Sequence, residues 1–159
     1  MSNPAAATTE GLAARVATLE AIESIIALKN RYAEAVDRCS GTPVPGAAET
    51  AASLFTEDAH ADYAQFGKFD GRAKILEFFQ AVFPAVSLWS RHVMLNPILE
   101  VTGDTATGRW YCEAYVVFRE NPAAGPQKSW VRYEDTYVLT PEGWRFKKVI
   151  VIFDTPTTA

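Results

Sequence analysis

The chain has 159 residues, 48% hydrophobic, 12% aromatic and 21% charged, which is the make-up of one globular domain able to bury a core without covalent staples. Its 15 Lys and Arg against 19 Asp and Glu leave a net charge of −4, so there is no basic field for a phosphate backbone and no nucleic-acid partner is expected. Cys39 and Cys112 share no metal-ligand spacing and read as reduced, no stretch approaches the roughly 20 apolar residues of a bilayer span, and the first residues lack a leader's basic and apolar regions. A cytoplasmic protein that does not enter membranes is predicted.

Residues 1–12 are small and polar and are expected to form a flexible arm. From Leu12 to Arg38 the apolar residues Leu19, Ile22, Ile25, Ile26, Leu28, Tyr32, Ala33 and Val36 recur mostly at three- and four-residue steps, the signature of an amphipathic helix. Its polar face then carries Glu23, Lys29, Asn30, Arg31, Glu34 and Arg38. The Gly- and Pro-rich run 40–46 breaks it, and a short helix follows over Ala47–Phe55. Asp58–Gln65 reads as a strand, 66–71 as a turn or short hairpin, and Arg72–Phe83 as a third helix ended by Pro84. His92–Val101, Thr105–Arg119, Lys128–Thr140 and Trp144–Phe153 are β-rich runs separated by turn residues, which predicts an antiparallel meander. The expected fold class is α+β, with three N-terminal helices against a strongly curved sheet, in one domain over 13–154 with a tail at 155–159.

This order of elements is similar to the cone-shaped, cystatin-like roll of the nuclear transport factor two-like superfamily. The segments Arg31-Tyr32-Ala33-Glu34-Ala35-Val36-Asp37, Leu54-Phe55-Thr56-Glu57-Asp58-Ala59, Asp62-Tyr63, Gly71-Arg72, Arg91-His92, 103–111 and Gly143-Trp144-Arg145 resemble its SnoaL-like branch, with the scytalone dehydratase-like and bile-acid dehydratase-like proteins. The resemblance spans about residues 15–154. It implies an aspartate closing the first helix, a histidine opening the strand after the third helix, and pocket tyrosines, positions held here by Asp37, His92, Tyr32 and Tyr63. Where the scytalone-type pattern has a second pocket histidine, this chain aligns Trp110, which argues against scytalone as the substrate.

Imidazole is the side chain suited to moving protons near neutral pH, and the chain has two, His60 and His92. Asp37 falls at a helix C-terminus, where the macrodipole disfavours a carboxylate by about 0.3–1 kcal/mol, so a donor should compensate. An imidazole would do so and would have its tautomer fixed in return; by position alone, Asp37 equally suits a solvated exit from the helix. Tyr32 and Tyr63 read either as enolate-stabilising phenols or as amphipathic core residues. Along Thr105–Arg119 one face, Trp110, Cys112, Ala114, Val116 and Phe118, is nearly all apolar and suits a pocket wall, with Val116 and Phe118 equally suited to deep core. Trp110, Cys112, Phe66, Met94 and Asn96 are the expected substrate contacts.

The other face of that run, Arg109, Tyr111, Glu113, Tyr115 and Val117, suits a subunit interface, with Glu113 a site residue only if the faces are inverted. On Lys128–Thr140, Val131, Tyr133, Asp135 and Tyr137 alternate with Arg132, Glu134 and Thr136, and this mixed charge on both faces also suggests cover by another subunit. Asp58, His60 and Asp62 share a strand face but form at most a weak cation site, so no metal is expected. No phosphate loop or nucleophilic triad is present, so no cofactor is expected. The predicted function is a cofactor-independent lyase, a dehydratase for a cyclic, largely apolar hydroxy-carbonyl substrate, working as a dimer or trimer. A ketosteroid isomerase-like isomerase and a non-catalytic small-ligand binding protein are the alternatives.

Overall fold

The computed structural model of the protein describes residues 8–154. Helix α1 runs Thr9–Arg38, and the Thr8 side chain caps it by accepting from the Gly11 N–H at 3.1 Å. It thus starts inside the stretch expected as an arm, while 1–7 and the tail 155–159 lie outside the described residues. Ile25, Leu28, Tyr32 and Val36 form the buried stripe of α1, and each aliphatic side chain so buried contributes about 1.5–3 kcal/mol.

Helix α2, Ala47–Ser53, is shorter than expected because Leu54 and Phe55 already join the sheet: Leu54 O accepts from the Phe146 N–H at 2.9 Å. Strand β1 is therefore Phe55–Asp62, ending before Tyr63, and a short antiparallel partner, β2, runs Lys68–Asp70. Pro84 does not end the third helix. Helix α3, Arg72–Glu77, widens into a π turn over Phe78–Val82 and continues as α4, Phe83–Val86, with Pro84 in the first turn where no N–H is required.

Strands β3 (Ser87–Thr102), β4 (Thr105–Phe118), β5 (Gln127–Thr140) and β6 (Gly143–Phe153) form the antiparallel meander. β1 then adds to β6 in parallel, giving the order β2-β1-β6-β5-β4-β3 in one curved, open sheet. β3 begins five residues earlier than expected, which puts His92 inside the strand rather than at its start. A bulge between Leu95 and Ile98 breaks the β3–β4 ladder at Pro97, which has no N–H to donate, and leaves Asn96 at φ 47 on the exposed side.

The inner face of the sheet meets α1 around Trp110, Cys112, Tyr133, Tyr137 and Phe146. Here two expectations need correction. Lys29 is not on a solvated face but fully buried, and its Nζ donates to Asp135 Oδ2 at 2.8 Å. The inward charge of β5 is thus neutralised within the chain and needs no other subunit to cover it.

Candidate active site

The end of α1 and the middle of β3 bring Asp37 and His92 together. Their side chains are 11% and 10% exposed, and His92 Nδ1 lies 2.7 Å from Asp37 Oδ1. A carboxylate only accepts, so this geometry assigns the proton to Nδ1, and in the neutral imidazole Nε2 holds the lone pair. Asp37 Oδ2 accepts from the His92 backbone N–H at 3.1 Å, and Oδ1 also accepts from Ser90 Oγ at 3.0 Å. These donors offset the unfavourable helix end, with the Arg91 guanidinium at 4.0 Å adding a weak attraction.

His92 lines a narrow cavity of about 60 Å³ walled by Phe66, Phe78, Phe79, Phe83, Phe118 and Phe153, among others. The π turn explains part of that wall. Its wider winding lets the Phe83 N–H bond to Phe78 O, so residues five apart reach a common face and both rings meet the cavity. A larger surface groove of about 1010 Å³ lies between α1 and the β3–β4 and β5–β6 turns, but it contains no histidine or tyrosine and no paired acid and base.

Three phenols line the same cavity as the imidazole. Tyr32 Oη donates to Tyr63 Oη at 3.3 Å, and Tyr63 stacks on Phe78 with ring centroids 4.3 Å apart. Tyr133, not singled out by the sequence, also lines the cavity, and its hydroxyl has no hydrogen-bond partner among the described residues. Burial pushes all three phenols well above their ordinary value, so they remain donors rather than bases. Alternation on β5 could have marked Tyr133, two residues from Val131 on the inward face.

The expected substrate contacts divide. Phe66 lines the cavity; Trp110 and Cys112 lie deeper, and Trp110 Nε1 donates to Tyr137 Oη at 2.9 Å. Met94 packs against the core opposite Cys112, and Asn96 is exposed on the bulge. Val116 and Phe118, equally suited to deep core by sequence, line the cavity instead. The register sets Ala114, not Trp110, beside His92, because Trp110 is four residues earlier on β4. Glu113 lies on the outer face, held by Lys128 at 2.9 Å and Tyr115 at 2.7 Å. Asp58, His60 and Asp62 are each paired, with Lys147, Asp70 and Lys68, and no cluster of three or more metal-ligating side chains occurs among the described residues.

The SnoaL-like domain family matches residues 17–150. The chain belongs to that family. Over 99 residues it is 35% identical to the uncharacterized protein Rv2910c of Mycobacterium tuberculosis, a match spanning 58% of this chain and 62% of that protein, less than two thirds of its length. A solved structure from Novosphingobium aromaticivorans, described as an aromatic ring hydroxylase, is 28% identical with a TM-score of 0.72, covering 87% of this chain and 92% of that one. Two others from the same organism share the fold. An NTF2-like protein with a cystatin-like fold is 24% identical, TM-score 0.74, over 95% and 93% of the two chains. A protein described as a scytalone dehydratase is 19% identical, TM-score 0.74, over 87% of each. The likeness to these last two structures, both under 25% identical, is one of fold, and no helix among the described residues is long and apolar enough to cross a membrane.

Proposed function

We propose that this SnoaL-like protein is a lyase, a dehydratase that removes water from a cyclic, largely apolar alcohol bearing a nearby carbonyl. The observation that carries the reading is the Asp37–His92 pair at 2.7 Å, with the imidazole lining an aromatic cavity that three phenols also line. In this reading His92 Nε2 takes the proton alpha to the carbonyl, Asp37 holds the ring and offsets the imidazolium charge, and Tyr63, supported by Tyr32, donates to the enolate oxygen. The imidazolium then returns its proton to the departing hydroxyl, so the enzyme ends in its starting state. The chemistry requires no metal or nucleotide. An isomerase would use the same groups to return the proton to carbon, and product analysis separates the two.

Assembly belongs to the same proposal. Val93, Tyr111 and Trp130 are 39%, 43% and 49% exposed on the outer face of the sheet, interleaved with Arg109, Glu113, Lys128, Arg132 and Glu134. Charges of both signs around an apolar centre suit a second copy of the same surface, giving a homo-oligomer.

The test is turnover against a panel of cyclic β-hydroxy ketones. His92→Ala should lower it about a hundredfold or more, the usual scale for losing a general base, and Asp37→Asn should impair it while the fold is retained. If EDTA abolishes turnover while His92→Ala leaves it intact, the acid–base reading is wrong.

A further inference from the structure

Asp37 is reached by a chain of serine hydroxyls as well as by the histidine. Ser90 Oγ lies 3.0 Å from Asp37 Oδ1, Ser40 Oγ 2.7 Å from Ser90 Oγ, and Ser87 Oγ 3.0 Å from Ser40 Oγ. Ser87 and Ser90 are buried at 0% and 2% exposure, and Ser40 is half-buried.

The direction of the chain follows from valence. A carboxylate cannot donate, so Ser90 gives its proton to Asp37; its oxygen is then left to accept, and Ser40 must donate to it. Ser40 in turn accepts from Ser87, whose hydroxyl is closer to it than to its other acceptor, Trp89 O at 3.3 Å. All three O–H dipoles therefore point toward the carboxylate, and in a chain so aligned each bond polarises the next.

The backbone is shaped to make this alignment. Ser40 belongs to the loop leaving α1, and the next residue, Gly41, has φ +66 with its N–H donating to Ser87 O at 2.9 Å. A Cβ at Gly41 would meet Leu88 O at 2.3 Å, so glycine is what lets the loop lie against β3. Arg119 holds the loop from the other side, donating from Nη2 to Gly41 O at 3.0 Å and from Nε to Pro84 O at 2.8 Å.

We infer that Ser87, Ser40 and Ser90 form a directed hydroxyl relay that fixes the orientation and charge of Asp37, making them positioning residues for the His92 base. The inference rests on the proposed acid–base role of the pair. The other ionisable groups near the pair are Arg91 at 4.0 Å from Asp37, with Cys39, Cys112 and Tyr133 feeling the Asp37 charge. None of them contacts the serines by hydrogen bond among the described residues.

The relay is read by NMR of the His92 ring, with no substrate needed. The chain has two histidines, so a His60→Gln background leaves His92 as the only signal, and long-range correlation gives both ring-nitrogen shifts at one fixed pH. Loss of a donor makes the carboxylate a stronger acceptor toward the imidazole. Ser90→Ala should therefore move the Nδ1 resonance downfield, and Ser40→Ala and Ser87→Ala, which touch neither Asp37 nor His92, should move it the same way by progressively less. Ser90→Thr should restore the wild-type shift.

A purely structural role predicts the opposite sign, since loosening the pair weakens the Nδ1–H bond and moves the resonance upfield. An upfield move, an unprotonated Nδ1 in the wild type, or no response to Ser40→Ala and Ser87→Ala each overturns the relay. Ser40 is only half-buried, so Ser40→Ala tests the chain even where replacing a buried serine unfolds the protein. If the shifts respond as expected but His92→Ala retains turnover, the relay stands and the proposed function alone fails.

Discussion

At the scale of single residues, the site combines an imidazole with several neutral phenols that can donate to a substrate oxygen. Nδ1 is engaged by Asp37, so Nε2 is the free nitrogen of the ring lining the cavity. The phenols differ because burial raises Tyr63, Tyr32 and Tyr133 well above 10.0, the neighbouring Tyr32 acting in the same direction on Tyr63. Raised pKa values keep them neutral as pH rises. Accordingly, phenolate absorbance titrations of wild type and Tyr63→Phe should superimpose up to about pH 10, and an ionisation missing from the variant below that pH would show that Tyr63 is not the buried donor described here. Met94, Asn96, Trp110 and Cys112 show why residue type alone marks such a site poorly: a bulge or four residues along a strand separates core from cavity.

Among the elements, α1 and β5 are joined by a fully buried ion pair. Burial lowers the Lys29 value and raises that of Asp135, each partly countered by the other, while Tyr137 Oη donates to Asp135 Oδ2 at 2.7 Å. Lys29 Nζ also lies 3.6 Å from the Tyr133 ring centroid. Asp135 Oδ1 has no partner among the described residues, so removing Lys29 leaves a buried carboxylate with one hydroxyl donor there. Lys29→Met should lower unfolding free energy by about 3–5 kcal/mol in urea, whereas Lys29→Met with Asp135→Leu should recover most of the loss. Equal instability of the single and double variants would show that the pair's charge is not the source of the cost.

At the scale of the whole molecule, the helices cover the inner face of the sheet and leave its outer face to solvent or to a second copy. Rows such as Val93–Glu113–Trp130 cross three strands in register. Sedimentation at micromolar concentration should find an oligomer whose contact buries more than about 1,000 Å² in total, and Trp130→Glu should shift it toward monomer. A wild-type monomer under those conditions would remove the assembly part of the proposal. The activity of the pair should survive that shift, because Asp37, His92 and the phenols all come from one chain.

Periodicity by itself determined the helix of α1, the four long strands and the inward face of β4, because a 3.6-residue stripe and a two-residue alternation are local consequences of burying one side. The resemblance pointed to Asp37, His92, Tyr32 and Tyr63, since the family order labels the end of the first helix and the strand after the third, although His92 lies inside that strand. Only tertiary structure decided the rest. Lys29 stood at core spacing, four residues after Ile25 and three before Tyr32, but its charge read as polar until Asp135, 106 residues away, supplied the partner. Pro84 read as a helix stop because the π turn that absorbs it has no sequence signature of its own. Ser40, Ser87 and Ser90 were mute for the same reason: a hydroxyl becomes informative only when a loop crosses β3 closely enough to hand it a carboxylate, and that crossing depends on one glycine and the strand beneath it.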